Sequence, residues 1–262
     1  MILVISDVHL GYEDCNRDAF TKFMDEFKSR DIEHFVILGD LFDLWRRNNA
    51  EIILENEDIL EKLMDMNAEN IHYIVGNHDY YMYRLGEKYG DYFPFTVSKN
   101  LRLEDGGNRY YFIHGYELEV MCYEPLPMDM YEETSEKMCF SDKILGGVVS
   151  QAWDIIHGND IKEKIEGSSI VEKLGMSPHE RFESSEEPEK IFKLANSKVK
   201  GFLLGMKSNE ILVFGHTHEP FINKEKTVAN TGSWVNELES EEYQNSYIEI
   251  DDGDMELKFF KP

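Results

Sequence analysis

The sequence predicts an α/β fold with two β-sheets packed between helices, and three observations support this prediction. Short apolar runs rich in β-branched residues alternate with amphipathic segments in the first third of the chain. Later apolar runs are separated by turns, one of them the Gly-containing stretch 104–108. A long segment of helical character divides the strand-forming parts. Alternating strands and helices imply sheets covered by helices, with function at the carboxyl ends of the strands.

The elements can be assigned in chain order. The first strand, residues 2–5, precedes a helix at 18–30, whose four large apolar residues recur at helical spacing. A second helix is predicted at 51–67. The other predicted strands are 35–38, 71–75, 95–97, 100–103, 110–113, 211–214, 227–230, 247–250 and 257–260. The acidic turn 251–254 is expected to close a hairpin rather than to bind calcium.

Residues 118–208 have weak strand character. They contain predicted helices at 144–156, 161–166 and 189–204, with 183–188 as an exposed loop. A bare connection of this length is improbable in a compact domain. We therefore expect a mostly helical insert or cap on a core formed by residues 1–117 and 209–262.

Composition limits the partners. The formal net charge of −25 over 262 residues repels polyanions, so extended nucleic acid is disfavoured. A phosphate-containing small molecule remains possible because bound divalent cations reverse the local potential. Three cysteines without a C-x-x-C pattern indicate neither a disulfide framework nor a thiolate zinc site. With no signal peptide or apolar membrane span, a cytoplasmic protein is expected, and its oligomeric state is left open.

The motif Gly215-His216-Thr217-His218 follows an apolar run that predicts a buried strand, residues 211–214. Side chains two positions apart on a strand point to the same face, so His216 and His218 can both face one site. Two imidazoles that converge at a strand end are a common arrangement for a transition metal.

Four earlier strands also end in metal-capable groups: Asp7-Val8-His9, Gly39-Asp40-Leu41-Phe42-Asp43, Gly76-Asn77-His78-Asp79 and His114-Gly115. With G-H-T-H they form the ordered set D-x-H, G-D-x-x-D, G-N-H-D, H-G and G-H-T-H. This set resembles the calcineurin-like metallophosphoesterases. The resemblance implies a four-layer α/β/β/α sandwich.

The same resemblance implies a centre of two divalent ions that activate a water between them. Asp40 would bridge the ions, Asp7, His9 and His218 would complete one site, and Asn77, His114 and His216 would complete the other. Mixed nitrogen and oxygen ligands suit manganese, the first choice here, and also iron, zinc, nickel or cobalt.

By family analogy His78 is not a ligand but the histidine that assists the leaving oxygen. Asp43 is placed to orient it and to favour the imidazolium. Arg46 or Arg47, which follow the Asp40 loop, are candidates for holding a substrate phosphate. Lys198 and Lys200 lie on a predicted basic and apolar helical face and are further substrate candidates.

The remaining histidines are expected to have no role in the metal centre. His34 and His72 are predicted to be solvated strand starts, and His157 and His179 lie in the insert without ligand partners at useful spacing.

Within the family, the motifs around residues 6–11, 39–45 and 215–220 look most like the UDP-2,3-diacylglucosamine hydrolase branch. That branch usually has Arg where this chain has His78, so the resemblance implies phosphodiester or pyrophosphate hydrolysis more firmly than a lipid substrate. Two alternatives are open. One is a nuclease of the double-strand-break repair type, and the other is a non-catalytic binding protein with this fold.

Overall fold

The computed structural model describes residues 1–122, 127–140, 187–236 and 244–262. The helices in these residues are α1 (Arg17–Phe27), α2 (Asn49–Glu55), α3 (Glu57–Met64), α4 (Tyr81–Tyr89), α5 (Tyr116–Cys122), α6 (Met128–Met138), α7 (Glu187–Ala195) and α8 (Lys200–Leu203). The strands are β1 (Ile2–Ile5), β2 (Ile32–Leu38), β3 (Ala68–Ile74), β4 (Thr96–Ser98), β5 (Asn100–Asp105), β6 (Asn108–Ile113), β7 (Glu210–Phe214), β8 (Phe221–Ile222), β9 (Val228–Asn230), β10 (Ser246–Asp251) and β11 (Asp254–Phe259).

These strands form two sheets. The first has the order β11-β10-β1-β2-β3-β4, with β1 to β4 parallel and with β10 and β11 antiparallel to their neighbours. The second has the order β5-β6-β7-β9-β8, with β6, β7 and β9 parallel and with antiparallel strands at both edges. Parallel strands end at the same edge of a sheet. The loops after β1, β2 and β3, and those after β6 and β7, are therefore neighbours within their sheets.

Side chains alternate along β1, and this alternation separates two apolar layers. Ile2 and Val4 lie between the two sheets. Their partners include Val36, Leu38, Tyr110, Phe112 and Val213. Leu3 and Ile5 lie on the opposite face with Phe23 of α1. Burial of each such side chain stabilises the fold by about 1.5–3 kcal/mol.

A third apolar layer covers the outer face of the second sheet. Tyr111 and Phe214 pack there with Leu118 of α5 and with Ile191 of α7. Helices therefore lie outside both sheets, and the predicted α/β/β/α sandwich is confirmed.

The single helix predicted at 51–67 is wrong, because the chain forms α2 and α3 with a break at Asn56. Asn56 has φ −120° and ψ 22°, outside the helical region. Its buried side-chain amide donates to the carbonyl of Ile52 and accepts a hydrogen bond from Arg17 Nε at 2.9 Å. The polar contact with α1 fixes this turn. Helix α4, which directly follows the His78 loop, was not predicted.

The insert differs from the prediction in two places. Residues 187 and 188 do not belong to a loop but begin α7, where a proline in the first turn is well tolerated. The helix predicted at 189–204 is interrupted after Ala195, since the side chains of Asn196 and Ser197 donate to the carbonyls of Phe192 and Leu194. The predicted helices at 144–156 and 161–166, together with His157 and His179, lie outside the described residues. The boundaries 118 and 208 of the insert stay a prediction.

None of the helices in the described ranges is long and apolar enough to cross a membrane.

His34 and His72 are not solvated strand starts, because they lie within β2 and β3 and contact each other across the strands. His34 Nδ1 is 3.0 Å from His72 Nε2, and His72 Nδ1 is 3.1 Å from the hydroxyl of Thr96. Burial and the neighbouring His34 lower the pKa of His72 to about 4. The pair therefore favours a neutral His72.

This pair predicts a pH dependence of stability. The unfolded chain protonates His72 near pH 6.5, whereas the folded protein resists protonation down to about pH 4. The free energy of unfolding should therefore fall as the pH decreases through this window. In His72→Gln the fall should be smaller by on the order of 1 kcal/mol, a value discounted for the half-buried ring. Urea titrations of both proteins at pH 7, 5.5 and 4.5 measure the difference, and parallel profiles would contradict the prediction.

Candidate metal centre

Five strand ends bring the predicted site residues together. Asp7 and His9 follow β1, Asp40 and Asp43 follow β2, Asn77 and His78 follow β3, His114 follows β6, and His216 and His218 follow β7. Seven of these nine side chains are buried, and His216 and His218 are partly exposed. The cluster therefore joins residues that are up to 211 positions apart in the sequence, from Asp7 to His218.

Five of the predicted ligands have a left-handed backbone, which is uncommon for residues other than glycine. They are Asp7, His9, Asp40, His216 and His218, with φ between 52° and 69°. Each such residue costs on the order of 1–3 kcal/mol, and such strain concentrates at functional sites. Hydrogen bonds within the cluster offset this backbone strain. One of them runs from the backbone N–H of His216 to Asp7 Oδ2 at 2.8 Å.

Two glycines allow the loops to approach this closely. A Cβ atom on Gly76 would lie 2.0 Å from Asp40 Oδ1, and one on Gly215 would lie 2.5 Å from Asp7 Oδ2. Any side chain at either position would push a predicted ligand out of the cluster.

Asp7, His9 and His218 form the first group of candidate ligands. Asp7 Oδ1 is 3.4 Å from His218 Nε2 and 3.8 Å from His9 Nε2. Asp7 Oδ1 and both ring nitrogens of His9 are buried without a hydrogen-bond partner. Buried polar atoms are normally paired, so these atoms fit the coordination of a cation.

Asp40, Asn77, His114 and His216 form the second group. His114 Nε2 is 3.3 Å from Asp40 Oδ2, 3.1 Å from Asn77 Oδ1 and 3.3 Å from His216 Nδ1. His114 Nδ1 donates to the carbonyl of Leu38 at 2.6 Å, which turns Nε2 toward the cluster. A ring nitrogen fixed in this way is typical of a metal ligand.

Asp40 lies between the two groups. Its Oδ2 is 3.7 Å from His9 Nε2 as well as 3.3 Å from His114 Nε2, while Oδ1 accepts the backbone N–H of His78 at 2.8 Å. This position is the one that a bridging carboxylate requires.

The charges in the cluster depend on one another. Burial is the largest single influence and opposes ionisation of Asp7 and Asp40. The histidines around each carboxyl, His114 foremost, together outweigh burial and lower the pKa of both carboxyls. Burial also opposes protonation of His114, yet Asp40 and Asp7 raise its pKa to about 10. The carboxylates are therefore anionic and require positive charge nearby, which a divalent ion supplies.

His78 contacts Asp43 beside the two groups. His78 Nδ1 is 3.2 Å from Asp43 Oδ1, and the ring stacks on Trp45 at a centroid distance of 4.1 Å. Burial lowers the pKa of His78, although Asp43 and Asp40 act in the opposite direction. Asp43 thus favours the imidazolium as expected, but burial outweighs it.

His9, Asp43 and His78 are also close enough together to hold a cation. Arg46 already places a guanidinium against Asp43 Oδ2, and the pKa of the Asp43 carboxyl lies well below its usual value because this charge and His78 outweigh burial. The positive charge of Arg46 favours the interpretation of His78 and Asp43 as a hydrogen-bonded pair over a third metal site.

The structure separates the two candidate arginines. Arg46 Nη1 contacts Asp43 and is 3.5 Å from His78 Nδ1, and its guanidinium lies 4.5 Å above the ring of Tyr12. Arg47 instead forms a forked ion pair with Glu55 at 2.6 and 2.7 Å. Only the first of these two arginines adjoins the predicted site.

Lys198 and Lys200 are not brought to the cluster by any contact among the described residues. Lys198 is exposed between α7 and α8, and Lys200 begins α8, where burial lowers its pKa. Their role in substrate binding stays a prediction.

Sequence reasoning missed Asp79 and Glu119. Asp79 is fully buried and accepts hydrogen bonds from the N–H groups of Gly76 and Leu41, both at 2.8 Å, and from the Tyr73 hydroxyl at 2.5 Å. Burial and Asp40 raise the pKa of Asp79 to about 6. Asp79 therefore ties the Asn77 loop to the Asp40 loop, and its place in the G-N-H-D motif could have indicated this. No motif indicated Glu119.

A sandwich of this kind, with candidate carboxylate, amide and imidazole ligands at five strand ends, is typical of a metal-dependent phosphoesterase. A sequence profile of the calcineurin-like phosphoesterases matches residues 1–220, and the chain belongs to this family. It is similar to UDP-2,3-diacylglucosamine hydrolase from Blochmanniella pennsylvanica (strain BPEN), with 25% identity over 228 residues that cover 85% of this chain and 81% of the relative.

Solved structures to which the chain is similar include an archaeal phosphodiesterase, with 14% identity, 98% coverage of both chains and a TM-score of 0.45. A dimetal phosphatase from Danio rerio has 10% identity, coverage of 99% of this chain and 98% of its own, and a TM-score of 0.47. The family match and the hydrolase relative together support an enzyme of the metal-dependent phosphoesterase class.

The position of Asp40 between the two groups generates a prediction about metal content. The purified protein should hold about two divalent ions, and Asp40→Ala should lose metal and activity together. Asp7, whose Oδ1 is 4.0 Å from His114 Nε2, could not take the place of Asp40 without movement of a strand end. Elemental analysis after dialysis against Mn²⁺ measures the stoichiometry. Asp65→Ala, which removes an exposed carboxylate at the end of α3, serves as the control and should retain both ions. Tight binding of two ions by Asp40→Ala would refute the bridging assignment.

Proposed function

We propose that this protein hydrolyses phosphodiester or pyrophosphate bonds in a phosphate-containing small molecule at a centre of two divalent ions, with manganese as the first candidate. The observation that carries this proposal is the position of Asp40 Oδ2, within 3.7 Å of His9 and 3.3 Å of His114. When bound, two such ions polarise phosphoryl oxygens and lower the pKa of a water between them.

His78 assists the leaving oxygen in this proposal. Asp43 has no proton to give, so the Nδ1–H of His78 donates to it and Nε2 is left for the substrate side. Stacking on Trp45 fixes the ring plane. Because burial lowers the pKa of His78, its protonated form is a stronger acid than a solvated histidine and releases its proton readily.

The net charge of the chain and its candidate metal ions limit the class of substrate. A net charge of −25 disfavours extended nucleic acid, whereas the positive charge of two bound ions suits a small phosphate ester. The relative that hydrolyses UDP-2,3-diacylglucosamine supports a nucleotide-linked pyrophosphate as the first substrate to test. The cysteines 15, 122 and 139 are free, which suits a reducing compartment, and we propose the cytoplasm.

Turnover of bis(p-nitrophenyl) phosphate with and without Mn²⁺ tests the reaction class. A panel of nucleotide-diphosphate-linked lipids, cyclic nucleotides and single-stranded DNA then tests the substrate class. Metal-dependent hydrolysis of the nucleotide-diphosphate-linked lipids supports the proposal. Preference for the single-stranded DNA would favour the nuclease alternative, and no turnover with any of the candidate metals would refute the proposal.

The His78 assignment predicts a dependence on the leaving group. His78→Ala should retain about two metal ions and lose about 10²–10⁴ in turnover of a poor leaving group, the usual contribution of general acid catalysis. For p-nitrophenolate, which needs little protonation, the loss should be smaller. A series of aryl and alkyl esters measures the dependence. If all esters lose turnover equally, His78 acts on the phosphate rather than on the leaving oxygen.

The two arginines form a matched pair for testing phosphate binding. Arg46→Gln should raise KM by about 10- to 150-fold, since a hydrogen bond to a charged group contributes about 1.5–3 kcal/mol. Arg47→Gln removes the forked pair with Glu55 and the longer ion pair with Glu51, both at the surface. It should leave kcat and KM unchanged and stability almost unchanged, because exposed ion pairs contribute little. Steady-state kinetics of both variants decide the matter, and equal effects would exclude a specific role for Arg46.

A further inference from the structure

Helix α5 begins two residues after His114 and directs Glu119 to the opposite side of His216 from the cluster. Glu119 Oε2 is 2.8 Å from His216 Nε2, and the hydroxyl of Tyr131 on α6 donates to the same oxygen at 3.0 Å. Only 19% of the Glu119 side chain and 14% of the His216 side chain are exposed. The contact is therefore a largely buried chain of three residues, Tyr131, Glu119 and His216.

The atoms in this chain determine the state of the His216 ring. An ionised carboxylate only accepts hydrogen bonds, so the 2.8 Å contact requires a proton on His216 Nε2. The other nitrogen, Nδ1, lies 3.3 Å from His114 Nε2 and faces the second group of ligands. Glu119 thus selects the tautomer whose free lone pair points at the cluster.

Charge gives a second reason for Glu119. The first group includes Asp7 and adjoins Asp40, whereas the second group contains Asp40 alone among carboxylates, with two histidines and Asn77. A carboxylate one ring away from the second group adds negative charge where the direct ligands supply least. Glu117, on the same helix, instead accepts the backbone N–H of Gly115 at 3.0 Å.

We propose that Glu119 is a positioning residue of the second metal site: its carboxylate accepts the Nε2–H of His216 and holds that ring so that Nδ1 binds the ion. Tyr131 in turn fixes the carboxylate. The inference rests on the proposed function, since it presupposes a metal ion among Asp40, Asn77, His114 and His216. Carboxylates that hold a ligating histidine in this way commonly change metal affinity by 10–100-fold.

Metal titration of the full chain tests the proposal with Co²⁺ as the probe. Calorimetry gives the affinity of each site, and the visible absorption of bound Co²⁺ reports its ligand geometry. Glu119→Ala should weaken one of the two sites by about 10–100-fold and change the absorption bands of that site alone. Glu119→Gln keeps an acceptor for Nε2–H and should restore most of the affinity, and Tyr131→Phe should give a smaller loss. Glu117→Gln is the matched control, because Glu117 lies on the same helix and hydrogen-bonds the backbone of Gly115 rather than His216, and its loss of affinity should be smaller than that of Glu119→Ala.

A second measurement does not depend on metal. Long-range ¹H–¹⁵N NMR correlations of the metal-free wild type should show His216 protonated at Nε2 and bare at Nδ1, and Glu119→Ala should lose this preference. Retention of two wild-type sites by Glu119→Ala, or equal losses in Glu119→Ala and Glu117→Gln, would overturn the positioning role while leaving the dinuclear centre intact. A wild-type protein that binds fewer than two ions would overturn the proposed function first, and the inference with it.

Discussion

Two fully buried carboxylates, Asp7 and Asp40, impose the constraint on which this structure depends. Buried anions are costly unless paired, and here the nearest charges are imidazoles rather than lysine or arginine side chains. The surrounding architecture gathers those imidazoles from both sheets, at the expense of a left-handed backbone at five positions. Two buried carboxylates need positive charge beside them, and a divalent cation supplies more of it than a protonated histidine does.

Hydrogen bonds around the cluster hold its loops in place. Asp79 joins the loops that follow β2 and β3. Asn230 donates to the Gly215 carbonyl at 2.6 Å and to the Thr217 hydroxyl at 3.0 Å, which holds the last ligand loop. These polar groups are buried and hydrogen-bonded, so they hold the strained ligand loops in one conformation. The residues that hold the loops, Asp79 and Asn230, are thus different from the candidate metal ligands.

The sequence was most informative where local pattern and chemistry coincide. The strand ends at Asp7, Asp40, His114 and His216 could be predicted because an apolar run fixes the strand and the next residues carry the ligands. The break at Asn56 could not, since it depends on a hydrogen bond to Arg17, 39 positions earlier. In the same way, nothing local distinguishes Arg46 from Arg47, and the contact of each with a carboxylate decides their orientation. Tertiary contacts of this kind carry no periodic signal.

The strand order has a consequence for how the chain reaches this state during synthesis. Strand β1 lies in the middle of its sheet, and one of its neighbours, β10, is almost 250 residues further along the chain, with Ile2 opposite Ile250. Until the ribosome has released residues 246–251, the very apolar segment 2–5 lacks a partner along one edge. Pairing of such distant segments is slow, and an open strand edge invites association with other chains. We therefore expect the edge of β1 that later pairs with β10 to stay open to association with other chains until residues 246–251 have emerged.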